Sequence, residues 1–134
     1  MIVSLHVATG AAGGALTRSR PAAVALGLVL HALGDRMPHQ DIGSRRFEIR
    51  SGIVCAVALA ARYGPLSPVT IGALAASAPD IEHVLPLPRP GGRKLFPSHR
   101  VRGWHRSGGL PASVQLLTAG AILGALAAYG RVGR

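Results

Sequence analysis

The sequence predicts an all-α fold: an up-and-down bundle of about five short apolar helices embedded in a membrane. Three observations predict it. Apolar stretches end at helix punctuation, strand-like alternation is missing over any length, and the apolar mass is made of small residues. Apolar residues are 49% of the 134 but aromatics only 4%, so Ala, Leu, Val and Gly dominate. Small side chains let helix backbones approach closely, as they do where lipid removes the hydrophobic drive between helices.

The apolar segments fall at about residues 3–17, 21–37, 50–63, 67–80 and 110–129. Pro21 and Pro111 stand at first-turn positions, and Ser67-Pro68 gives a cap followed by proline. Gly64-Pro65 and Gly130 close the segments before them. Only Leu110 to Tyr129 approaches the about 20 residues that cross a bilayer. The stretch from about 84 to 109 is basic and rich in Pro and Gly, which predicts a loop within a single domain, 1–134. The first Arg is Arg18, so no basic signal-peptide region precedes the first segment, and residues 1–17 are expected to remain in the mature protein.

The net charge of +10 comes from 15 basic residues against 5 acids, and it attracts phosphate. Combined with apolar helices it points to lipid headgroups as partner. A nucleic-acid module is the weaker reading, because stacking aromatics and recognised binding motifs are missing. The lone Cys55 sits in the apolar run Ile53 to Val57, which excludes a disulfide framework or a Cys-rich zinc site within the chain.

Most of the six histidines and five acids gather in short motifs. His31-x3-Asp35-x3-His39 sets His31 and Asp35 one turn apart on a helix face, with His39 beyond Pro38 at the helix end. Asp80-x2-His83 ends the fourth segment, and His99-x5-His105 lies in the basic loop. Short connections make successive helices antiparallel neighbours. His6, His31 to His39, Asp80 to His83, and His99 with His105 are thereby predicted at one end, opposite Arg18, Arg20, Arg62, Arg131 and Arg134.

Imidazole and carboxylate are the usual N and O ligands of divalent first-row metals. His6, His31, Asp35, His39, Asp80, His83, His99 and His105 are therefore the candidate ligands. Their number exceeds the about four that one tetrahedral zinc requires, which predicts two ions or one ion with orienting carboxylates around it. The plainer readings are a helix-start polar residue for His6, a buried hydrogen-bonded pair for His31 and Asp35, a helix-closing Asp80 with a loop His83, and a solvated basic loop for His99 and His105. Asp41 and Glu48 read as surface charges.

These motifs resemble a family of small bacterial and archaeal membrane proteins described as predicted membrane-bound metal-dependent hydrolases. The likeness spans nearly the whole chain: His6 before Gly10-Ala-Ala-Gly-Gly14, His31-Ala-Leu-Gly-Asp35-Arg-Met-Pro-His39-Gln-Asp41, Pro79-Asp80-Ile-Glu-His83, and His99-Arg100 followed by Gly103-Trp-His105-Arg-Ser107. Trp104 stands where the family often has Thr, the two loop histidines are further apart, and Glu82 replaces a common Asp. The His-x3-Asp-x3-His element also resembles that of zinc-dependent phospholipase C and related single-strand nucleases, a short likeness that counts as analogy.

The resemblance implies hydrolysis of a phosphoester by one or two zinc ions, or manganese or iron, with a lipid-related substrate. Glu82 or Asp35 would serve as catalytic carboxylate, and Arg100, Arg102 and Arg106 would hold phosphate oxygens. The alternative is a noncatalytic membrane protein with a structural metal. Ten of the 15 basic residues lie at the motif end, which predicts that end on the cytoplasmic side of the cell membrane. Metal, substrate and oligomeric state stay open at this stage.

Overall fold

The computed structural model describes residues 1–132 and is all-helical; among these residues no strand forms beyond two isolated bridges at His39. Arg134, placed above at the end opposite the motifs, lies outside the described residues. The helices are α1 (Val3–Thr17), α2 (Arg20–Arg36), α3 (Arg45–Tyr63), α4 (Pro68–Ser77), α5 (Ile81–Val84), α6 (Pro97–Arg100) and α7 (Ala112–Val132).

α1 is the central helix, packed against α2, α3, α4 and α7. Its contact with α4 is the most extensive in the molecule, and glycine makes it possible. A Cβ on Gly10 would run into the Gly72 carbonyl, and a Cβ on Gly72 into the Gly10 carbonyl. Gly14 meets the Pro68 carbonyl in the same way, so the two backbones touch over more than a turn. Val7, Ala11, Leu59 and Ala73 form one core cluster, and Ile2, Leu5, Ala8 and Ala119 form another. No aromatic side chain is among these buried residues.

α2 buries Ala23, Gly27, His31 and Asp35, a stripe with a step of four that faces α1 and α4. The ionisable pair therefore lies on the packed face. α2 stops before Pro38, which disfavours helical backbone at Met37.

Three boundaries differ from the sequence reading. α7 starts at Ala112 and does not close at Gly130 but continues through it to Val132. α3 starts at Arg45 rather than near 50, because the Ser44 hydroxyl accepts from the Phe47 N–H at 3.4 Å and caps a polar first turn that apolar periodicity does not mark. The fourth segment ends its regular helix at Ser77. Pro79 lacks an N–H, and the chain tightens into a 3₁₀ turn over Ala78–Asp80 before α5.

The 85–111 stretch is a loop, as expected, but an ordered one that contains α6 and a 3₁₀ turn at Pro90–Gly92. Its distal end is stitched to the segment after α2. Leu110 N–H donates to Pro38 O at 2.9 Å, Gln40 N–H to Leu110 O at 3.0 Å, and His39 N–H to Arg106 O at 3.2 Å. Trp104 donates its indole N–H to Ala32 O at 2.8 Å, while the Arg36 guanidinium lies over its ring. Among the described residues one helix, over Ala112–Tyr129, is long and apolar enough to cross a membrane.

Candidate metal centre

Asp35 is the hub, with its side chain fully buried. α1 brings His6 to it from its first turn, α2 supplies His31 one turn before it, and the loop supplies His99 from α6 and His105. Oδ1 lies 3.1 Å from His6 Nε2. Oδ2 faces three imidazole nitrogens: Nε2 of His31 at 2.9 Å, of His105 at 3.0 Å and of His99 at 3.3 Å.

The second nitrogen of two rings decides what this convergence means. His31 Nδ1 lies 2.8 Å from the Ala76 carbonyl oxygen, which can only accept, so Nδ1 carries the proton. His99 Nδ1 donates to a Glu82 carboxylate oxygen, so it too is protonated there. In the neutral rings both Nε2 atoms then present lone pairs, 3.3 Å from each other and turned on the same carboxylate oxygen. Lone pairs facing a carboxylate repel unless a metal ion or a proton lies between them.

The unsatisfied polar atoms agree. Asp35 Oδ2, Asp80 Oδ2 and His6 Nδ1 are buried and make no hydrogen bond. The Met1 amine lies 3.3 Å from Asp35 Oδ1, but no Lys or Arg pairs with Asp35 or Asp80 among the described residues. The donor set thus fits a divalent metal, and three groups of side chains could each hold an ion: His6 with His31 and Asp80, His31 with Asp35 and His99, and Asp80 with His83 and His99. The Nδ1 contacts to Ala76 O and Glu82 are of the kind that orients histidines which ligate a metal.

His83 and His99 differ electrostatically. Burial, with His99 and Lys94 nearby, pushes the His83 ring down to about 4, which keeps it neutral and able to ligate at neutral pH. For His99 burial also disfavours the cation, but the hydrogen bonds to Asp35 and Glu82 outweigh it and raise its pKa. A proton on His99 Nε2 therefore competes for the space a metal would take.

Of the eight candidate ligands, six fall into the three groups. His105 touches Asp35 from a half-exposed position, and its ring centroid is 5.4 Å from that of His39. His39 stands at the margin: Nδ1 donates to Met37 O at 2.7 Å, and Nε2 lies 2.5 Å from the Met1 amine.

Glu82 occupies a place different from the one a general base requires. It is 2% exposed, and its two oxygens are taken by His99 Nδ1 and by Leu95 N–H, the latter at 2.6 Å. Arg100, Arg102 and Arg106 are exposed, and none lines the cavity beside the site. That cavity, of about 440 Å³, is bordered by Asp41, Arg45, Glu48, Asp80, His83 and His105. Asp41 and Glu48, read as surface charges, thus face the same space.

Two contributors escaped the sequence reading. Arg45 carried no signal beyond its charge. Gln115, fully buried on α7, accepts from Ile2 N–H at 3.1 Å and donates to Gln40 O at 2.8 Å, tying α1 and the post-α2 segment to α7. A lone amide in an apolar helix was the available clue. Comparison with protein-family models, with curated proteins and with solved structures finds no match to this chain.

Proposed function

We propose that this protein is a membrane-bound, metal-dependent hydrolase of a phosphoester, with zinc as its metal, manganese or iron as the alternatives, and a lipid-related substrate. The observation that carries the proposal is the convergence of His31 Nε2 and His99 Nε2 on Asp35 Oδ2, with both Nδ1 atoms already donating elsewhere.

A divalent ion held there would supply Lewis acidity toward a phosphoryl oxygen and a lowered water pKa. Asp35, His31 and His99 would hold the ion, with His6 and His83, each grouped with Asp80, beside it. Asp80, a member of two donor groups but not of the one at Asp35, takes the base role when the ion is held by His31, Asp35 and His99: its Oδ2 lacks a hydrogen bond, and the residue borders the cavity. Glu82 is a positioning residue that orients His99. Arg45, at the cavity wall, takes the phosphate-facing role first assigned to Arg100, Arg102 and Arg106.

Membrane embedding of the bundle is part of the proposal. It is supported by the apolar α7 and by exposed apolar side chains such as Val54, 66% exposed, and Leu117, 74% exposed. The positive-inside rule sets the site end in the cytoplasm. In a Cys55→Ser background, Ser107→Cys should react with a membrane-impermeant thiol reagent only after cells are permeabilised; labelling of intact cells would reverse the orientation.

A noncatalytic reading has one observation in its favour: His99 and His105 come from the loop, so a metal would staple that loop to the bundle. Metal content by mass spectrometry, paired with phosphodiesterase and phosphomonoesterase assays, tests both. Near-stoichiometric metal that disappears in Asp35→Ala, with metal-dependent turnover, is the expected result. Metal without turnover leaves the staple, and a folded, reconstituted protein without metal sinks both readings.

A further inference from the structure

An apolar groove of about 320 Å³ opens beside the polar cavity, walled by Ile53 and Ala56 of α3, Leu74 of α4, and Ile81 and Leu85 at α5. Its cause lies in the packing. Gly52 lets α3 lean on Val3 of α1, while the turn at Pro79 redirects the chain after α4, and the space between α3 and α4 stays unfilled. Ile53, Leu74, Ile81 and Leu85 are all exposed there.

The groove is continuous with the cavity at the metal centre. Val3, Ile49, Asp80 and Val84 border both. Beyond Asp80 it offers no free polar group, since the Ser77 hydroxyl donates to Ala73 O at 3.1 Å. A peptide backbone or a sugar would find nothing to pair with along its length. The polar end, by contrast, has the candidate ligands and the Arg45 guanidinium, which donates to His83 O, while Glu48 is turned onto Ile42 N–H.

We propose that the site takes an amphiphilic phosphoester, its phosphate in the cavity between Arg45 and the metal centre and its hydrocarbon chain in the groove between α3, α4 and α5. The inference rests on the metal-hydrolase reading and adds the subsite that would hold the substrate's hydrocarbon chain.

The test is the affinity of the metal-loaded protein, in lipid nanodiscs, for n-alkyl phosphonates from methyl to octyl, with empty nanodiscs subtracted. Affinity should rise about fourfold per added methylene, on the order of a few hundredfold from butyl to octyl. Ala56→Phe should fill the groove and flatten the series without lowering metal content, and the milder Ala56→Val should shorten the preferred chain.

A flat series in wild type, with methylphosphonate still bound, overturns the groove and leaves the metal centre standing. An unchanged gradient in a folded Ala56→Phe assigns the gain to the bilayer and also overturns it. Loss of both metal and methylphosphonate binding removes the underlying reading as well.

Discussion

Replacing Glu82 by Gln separates the two roles a buried carboxylate can have beside a metal. Glu82 is 2% exposed and accepts from two donors, Leu95 N–H at 2.6 Å and His99 Nδ1–H. Gln keeps the shape but offers one acceptor oxygen and an NH₂ group, so one of those N–H groups must face another donor. Orienting carboxylates of this kind are worth 10–100-fold in metal affinity, or about 1.4–2.7 kcal/mol. The loss of a charge-assisted hydrogen bond, about 1.5–3 kcal/mol, is of the same size. Competition against a chromophoric chelator should therefore show zinc bound 10–100-fold more weakly by Glu82→Gln, with turnover restored at saturating zinc. Unchanged metal affinity together with lost turnover at saturation would refute the reasoning and return Glu82 to the role of catalytic base.

Two further predictions concern packing and protonation. Gly72→Ala forces a methyl group onto the Gly10 carbonyl and should cost about 1–3 kcal/mol, whereas Gly120→Ala on α7, with nothing within 4 Å, should gain about 0.5–1 kcal/mol; thermal unfolding of the pair checks this, and equal effects would contradict the α1–α4 contact. In metal-free protein the His83 ring should stay neutral until about pH 4, read by NMR against His83→Gln, and a midpoint near 6.5 would contradict the push of partial desolvation and of the nearby His99 and Lys94 charges. Because its folded value lies below the unfolded 6.5, the unfolded chain takes up this proton first. Acidification from about 6.5 to 4 therefore removes stability, and the full contribution is present above 6.5.

The helices and the sorting of chemistry to one end were legible because both follow from local rules. Pro21, Ser67-Pro68 and Gly64 mark termini by backbone chemistry alone, and the short α1–α2 connection forces an antiparallel pair that returns Asp35 to His6. His31 and Asp35 were legible as a pair because a step of four is a contact on any helix. The role of Glu82 was not. Whether a carboxylate faces a cavity or a histidine depends on where a loop 13 residues further on is laid down, as its Leu95 contact shows. Arg45 was missed for a related reason: among many exposed arginines, the one that borders the site is chosen by the Ser44 cap, which starts α3 early and sets residue 45 at the cavity wall.

Loop and metal centre are coupled by the origin of the donors. His6, His31 and Asp35 belong to the bundle, but His99 reaches Asp35 from a segment that the bundle does not hold by apolar packing. What fixes that segment is polar: Glu82 grips Leu95 N–H and His99, and Trp104 hangs on Ala32 O. Without a cation, His99 can approach Asp35 only by carrying a proton. A bound cation would take His99 Nε2 as a ligand in place of that proton. Metal binding there would therefore compete with a proton on His99, and acid should oppose it. A staple and a hydrolase share this linkage. They part at turnover: with an ion between His31, Asp35 and His99, Asp80 would stand at the cavity with one oxygen unpaired, where attack on a phosphoester would need an acceptor for the proton of water.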